Sequence, residues 1–356
     1  MNILRKLYER ILVQGLSGMA FGLFSTLLLG TIVEQIGLRV PGVAGDYILA
    51  VAAIAKTLTG AGIGACVAAK FKASPLVTAS ASVAGMAGAF ATSIINGTLL
   101  VNGVFVLGSP GEPLGAFVAA YIAVEVGSLI SGKTQIDIVL TPLVTIGCGA
   151  AAGILLGRPI STMMTKAGEL INWGVESKPL IMGIVVSVLM GIALTLPISS
   201  AAIGISLKLS GLAAGAATIG CCANMIGFAV ASYKDNKVGG SIAQGIGTSM
   251  IQMPNIIKNP LIWLPAIVSS AILGPVSTCV LKMTSNSKGS GMGTCGLVGQ
   301  FMTYETMTTQ GVSSALVIVE IIIMHFVLPG LISYFVAEFL RKKGIIKSGD
   351  MKIESN

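Results

Sequence analysis

Apolar runs of membrane-spanning length follow one another from residue 11 to residue 340, and no other feature restricts the fold as much. Crossing a bilayer as a helix takes about 20 apolar residues. The candidate stretches are 11–33, 47–69, 75–95, 113–131, 137–157, 180–202, 211–232, 238–252, 260–282 and 312–340. The eighth is short and polar, so a partial crossing is expected there. A soluble domain carries about 25% charged residues. This chain has 10%, with 54% hydrophobic residues, and cannot hide that much apolar surface from water. The expectation is an all-α polytopic membrane protein with about ten transmembrane segments and the lipid bilayer as its solvent.

Net charge is +8. In a soluble protein that would suggest nucleic acid as a partner; here basic residues at helix ends beside anionic headgroups account for it. The cluster Arg341-Lys342-Lys343 puts the C-terminus in the cytoplasm, and the basic start MNILRKLYER reads as the cytoplasmic entry to an uncleaved first span. The six cysteines lie in or beside apolar or Gly-rich stretches without metal spacing and read as small packing residues. No catalytic residue, metal or cofactor is expected.

Between the third and fourth runs, Asn102-Gly103 is flanked by Leu99, Leu100, Val101 and by Val104, Phe105, Val106. That is the pattern of a tight β-hairpin. Residues 158–179 alternate apolar and charged side chains, as an amphipathic helix in the interface does. A weak collinear match relates the flanking regions. Gly22 and Thr26 align with Gly191 and Thr195, Ser82 and Gly88 with Ser241 and Gly247, and Pro113-Leu114 with Pro260-Leu261. The expected organisation is therefore a membrane repeat over 1–157, an interfacial linker over 158–179, a second repeat over 180–340 and a basic cytoplasmic tail over 341–356. Five spans per copy force the copies to be inverted, an arrangement in which transporters hold solute at the midplane.

The stretch Gly291-Met292-Gly293-Thr294-Cys295-Gly296 has the spacing of a dinucleotide turn, but no βαβ unit surrounds it. It is too polar to span and apolar enough to enter the membrane, so a re-entrant Gly-rich loop over 284–304 is expected. Such a loop exposes backbone groups that must face protein or a wet cavity. Prolines 197, 265, 275 and 329 break neighbouring spans, and residues 244–259 carry amides and hydroxyls at a depth where polarity is unfavourable. Gly293, Thr294, Gln300, Gln252, Asn255 and Asn259 are the expected solute contacts, with Glu112 or Glu125 as hydroxyl acceptor. Lys56, Glu320 and His325 are the other ionisable residues inside apolar runs. Lys56 is expected to pair with Glu125 or Glu320. On a regular helix Glu320 and His325, five apart, stand about 140° apart and do not share a face.

The segment NPLIWLPAIVSSAILGPVST, followed by GSGMGTCGLVGQ, resembles the EIIC-like membrane family that includes perfringolysin-regulator-type proteins. The resemblance covers nearly the whole chain and is most specific from Asn259 to Gln300. It implies a IIC sugar-permease subunit of the phosphoenolpyruvate-dependent phosphotransferase system. Such a subunit carries a sugar-like solute while a separate IIB protein, supplied by IIA, phosphorylates it. The resemblance further implies a homodimer in a bacterial inner membrane. In better-known permeases of the system a His and a Glu hold the sugar. Two readings stand beside it: an ion-coupled carrier of a small polar solute, and a non-transporting membrane regulator.

Overall fold

Lipid offers no partner to a backbone N–H or C=O, so a chain of this composition must satisfy its main chain within helices. The computed structural model describes residues 9–101, 103–106, 111–175 and 178–353. The helices that matter below, in order, are α1 (Glu9–Gly37), α2 (Val43–Thr57), α3 (Thr59–Lys70), α4 (Pro75–Ala89), α5 (Pro113–Ile130), α6 (Asp137–Val175), α7 (Pro179–Thr195), α8 (Gly211–Ala231), α9 (Tyr233–Ile242), α10 (Met253–Lys258), α11 (Pro260–Leu281), α12 (Val298–Thr309) and α13 (Ser314–Lys342). Among the described residues, six helices are long and apolar enough to cross a membrane: α1, α5, the Asp137–Gly157 part of α6, α8, α11 and α13. The pair α2 and α3, bent by 54°, makes a seventh if it is one span, and α4 and α7 are shorter apolar helices. The protein is thus an all-α polytopic membrane protein.

The chain divides into two units, Met1–Met163 and Met164–Asn356. In the first, small residues let backbones touch. Gly18 and Gly22 of α1 lie on Val67 and Ile63 of α3, Gly60 and Gly64 of α3 on Gly85 and Ala81 of α4, and Gly88 of α4 on Gly115 of α5. In lipid, where apolar surface gains nothing by hiding from tails, such close packing is the main source of helix association. The hairpin forms as β1 (Leu100–Val101) and β2 (Val104–Phe105), with Leu100 opposite Phe105 and Val101 opposite Val104. Gly103 has φ +77°; Asn102 of the expected turn, like Arg5 and Lys6 of the basic start, lies outside the described residues. The return from the hairpin is pinned where Glu112 N–H donates to Ala89 O at 2.8 Å.

In the second unit, α7, α8 and α11 pack on one another, and α13 lies across α8 and α11. The central helix is α8, whose sequence GLAAGAATIGCCANMIGFAVA allows approach from every side. The expected eighth span is broken. It runs as α9, a wide turn over Ala243–Gly247, an extended residue at Thr248 (φ −159°, ψ 144°), a tight turn over Ser249–Gln252, and α10. The expected interfacial linker is not a separate helix, because α6 carries it and the fifth apolar run in one 39-residue element. Nor does the basic tail end the fold: α13 reaches Lys342, and Ile346 and Met351 beyond it are buried.

Candidate functional site

The Gly-rich stretch is an inserted loop. Lys282, at φ +50°, ends α11, and Ser285 pairs with Gly211 at the start of α8 through a Ser285 N–H to Gly211 O bond of 3.3 Å. Asn286 Oδ1 then accepts the N–H groups of Lys288 and Gly289, each at 3.1 Å, and turns the chain inward. Gly293 comes to rest on Cys221, where a methyl group would sit 2.7 Å from Cys221 Cβ. Its φ is +55°, so only glycine meets both demands. From Gly211 to Cys221 is about 15 Å along a helix, half of a hydrocarbon core about 30 Å thick. The loop therefore travels from one end of α8 to its middle.

Neighbours hold it there. Ser200 Oγ donates to Gly291 O at 2.7 Å, Thr294 Oγ1 donates to Gly245 O, and Gly299 N–H donates to Gly293 O at 3.0 Å as α12 begins. Gln300 Nε2 lies 2.9 Å from His325 Nδ1 and 3.4 Å from Cys222 Sγ. With the amide as donor, His325 Nδ1 accepts and the ring's other nitrogen carries the proton. Three buried oxygens here have no partner: Gln300 Oε1, Thr303 Oγ1 and Glu320 Oε2. Helices α12 and α13 form an antiparallel hairpin whose Met307, Val317 and Ile321 share one apolar cluster. Thr303 lies six residues before the end of α12 and Glu320 six after the start of α13, so both stand at one level of the hairpin.

Glu320 and His325 both face inward, contrary to the regular-helix expectation. Their exposures are 9% and 1%, while Ile318, Val319, Ile322 and Ile323 are exposed. The cause is a π-turn over Ile322–Val327, in which Leu328 N–H reaches back to Ile323 O. One extra residue in the turn brings side chains five apart toward the same face. Pro329, which cannot donate to the carbonyl of His325, follows immediately.

The other expected residues gather elsewhere. The Gln252, Asn255 and Asn259 amides form a second cluster in this unit and donate to the segment after α13: Gln252 Nε2 to Met351 O (2.8 Å), Asn255 Nδ2 to Lys352 O (2.9 Å) and Asn259 Nδ2 to Asp350 Oδ2 (2.9 Å). Glu112, Glu125 and Lys56 belong to the first unit. Lys56 pairs with neither expected partner: its Nζ is 2.6 Å from Glu34 Oε1. Glu34 lies just past the expected first span on α1, which packs on α2 and brings the two together. Glu125 is held by Arg10, with a second bond of 3.1 Å from Nη2 to Oε2. Glu112 Oε1 is buried without a partner.

Sequence reasoning missed Asn224. Its amide donates to Gly220 O (3.1 Å) and Ser270 Oγ (3.2 Å), and its oxygen accepts from Trp263 Nε1 (2.8 Å) and Thr195 Oγ1 (3.2 Å). Thr195 Oγ1 also meets Ser249 Oγ at 2.7 Å, joining the end of α7 to the break after Thr248. The available signal was a single amide inside an otherwise apolar run.

No curated protein matches the sequence. The family model described as phosphotransferase system, EIIC, matches residues 13–353, almost the full length. A helical membrane body with a buried loop, broken helices and orphaned polar atoms, matched end to end by that model, belongs to the phosphotransferase system EIIC family.

Proposed function

We propose that the chain is the IIC permease subunit of a phosphoenolpyruvate-dependent phosphotransferase system, carrying a sugar-like solute past the Gly-rich loop to a separate cytoplasmic IIB protein. One observation supports it most: the loop reaches the middle of α8, Gln300 meets His325, and Gln300 Oε1, Thr303 Oγ1 and Glu320 Oε2 on the α12–α13 hairpin are buried without partners. Buried acceptors of this kind are destabilising unless a ligand completes them. Sugar hydroxyls donate and accept, and so suit an amide, a hydroxyl, a carboxylate and an imidazole together. The glycines and Thr294 shape the loop, and phosphoryl chemistry belongs to IIB, so this chain supplies binding and passage.

The same reading takes 1–157 and 180–340 as inverted copies joined by 158–179, making about ten segments, with 284–304 as the re-entrant loop and 341–356 as a cytoplasmic tail. Two parallels support the copies. Thr26 Oγ1 donates to Gly22 O (2.7 Å) where Gly22 lies on Gly62, and Thr195 Oγ1 lies 3.2 Å from Gly191 O where Gly191 lies on Gly220. Glu112 and Asn259 both occupy the cap position before a Pro-Leu helix start. A homodimer in a bacterial inner membrane with both termini cytoplasmic completes the reading.

The test is uptake of labelled hexoses and hexitols into proteoliposomes. The expected result is accumulation as a phosphate ester only when IIA, IIB and phosphoenolpyruvate are enclosed, with roughly tenfold less for Gln300→Ala, the order of one buried polar contact. Uptake that runs to completion without IIB overturns the coupling. A second reading, an ion-coupled carrier, is favoured by the three unpartnered acceptor oxygens of Gln300, Thr303 and Glu320. Uptake that follows an imposed pH or sodium gradient would establish it instead.

A further inference from the structure

The segment after α13 folds back into the second unit. Ile346 and Met351 are 2% and 0% exposed, in an apolar cluster with Phe228, Ile256, Ile262 and Leu340. Side chains from one stretch of the chain grip its backbone. The Asp235 carboxylate accepts from Gly349 N–H (3.0 Å) and Met351 N–H (3.4 Å). Asn236 donates to Met351 O (2.7 Å) and accepts from Ile353 N–H (2.8 Å). Gln252, Asn255 and Asn259 add the bonds described above, and Asn259 also donates to Ile345 O at 3.3 Å.

Two features distinguish this from a simple tether. It occupies the amide donors of Gln252, Asn255 and Asn259, which a hydroxylated solute would otherwise engage. It is also wired to the Gly-rich loop. Gln252 Nε2 donates both to Met351 O and to Gln244 Oε1 (2.9 Å), and Gln244 sits in the wide turn whose Gly245 carbonyl accepts from Thr294. A shift of Met351 is therefore felt at Thr294 through one side-chain pair and one residue of backbone.

We propose that residues 345–353 are a strap that holds the broken stretch 243–259 and, through it, the Gly-rich loop in a closed arrangement. Its release frees the Gln252, Asn255 and Asn259 amides for a hydroxylated solute and loosens the loop. What the freed amides bind rests on the carrier reading above; the strapping does not.

Hydrogen–deuterium exchange of the full chain in lipid nanodiscs, without solute, tests the strap. In the wild type the amides of Gly349, Met351 and Ile353 exchange slowly. Asp235→Ala combined with Asn236→Ala removes bonds to the strap alone. It is expected to speed exchange of 345–353 roughly tenfold and of 243–258 and 287–300 roughly threefold, with α8 still protected. Faster exchange of 345–353 with unchanged 243–258 and 287–300 would make the segment a passive tie and overturn the proposal. Coil-like exchange of 345–353 in the wild type would also overturn it. If α8 loses protection, the double variant has unfolded. Asp350→Ala, which removes only the Asn259 and Lys347 N–H contacts, then decides by the same criteria. Exchange that responds as expected, in a protein that carries no labelled hexose or hexitol under any coupling, fails the carrier reading and leaves the strap standing.

Discussion

Glu112 sits between a hairpin and a helix start, outside the spanning segments, and burial pushes its carboxyl from the ordinary 4.5 up to about 7, against a weaker opposing pull from the Leu114 N–H. An acid whose pKa is higher in the folded state binds more protons there than in the unfolded chain, so stability falls as pH rises between the two values. The window is pH 4.5 to 7, and the loss is complete above it. A shift of that size corresponds to on the order of 3 kcal/mol. Glu112→Gln cannot ionise. Its melting temperature should therefore stay level from pH 4.5 to 8 relative to the wild type, and exceed the wild type's at pH 8. Parallel curves for the two proteins would show that the carboxyl is hydrated in the fold. The residue was visible in the sequence as the acid of a Gly-Glu-Pro corner. Its orphaned oxygen was not, because burial depends on Gly111 lying against Ala89 some twenty residues earlier.

At the scale of elements, α8 is the post to which α7, α11 and the break after Thr248 are tied, and Asn224 is the knot. Asn224→Ala leaves Trp263 Nε1 without its Asn224 acceptor and removes one Thr195 and one Ser270 contact together. Unpaired buried groups cost about 1–3 kcal/mol, so equilibrium unfolding in mild detergent should show a loss of roughly 3 kcal/mol. An effect below about 0.5 kcal/mol, the level of a surface change, would mean that water or a neighbour replaces the amide. Elements were largely legible: the apolar runs gave the helices, Asn102-Gly103 marked the hairpin, and clustered glycines marked the inserted loop. Departures from regular helix were not. The π-turn that turns His325 inward arises where Pro329 withholds a donor, and sequence fixes the proline but not how the helix relaxes around it. The sequence directs Lys56 to a distant acid because Glu34 falls just outside the first apolar run, although α1 and α2 are neighbours in the chain.

For the whole molecule, hydropathy identified the solvent, and the family match extends over residues 13–353. In the sequence residues 345–353 look like a tail, since a short polar stretch gives no sign of partners a hundred residues away until the fold brings Asp235 and Asn236 to it. In the sequence the long helix α6 looks like two pieces, because its second part, with exposed Lys166 and Glu169, changes character. Its continuity has a geometric result. Thirty-nine residues at about 1.5 Å each give about 58 Å of helical path, longer than the hydrocarbon slab is thick, with Pro159 inside it as a place to bend. Its last turns pack back on the second unit, with Ile171 2% exposed and Gly174 against Val185 of α7, while Trp173 is 59% exposed. A membrane-impermeant maleimide should therefore modify Lys166→Cys above the wild-type background in sealed vesicles open to that side, and spare Leu143→Cys. Protection of both would place Lys166 in lipid. If Lys166→Cys reacts, a single helix changes its solvent partway along, from hydrocarbon before Gly157 to water at Lys166, without leaving helical geometry.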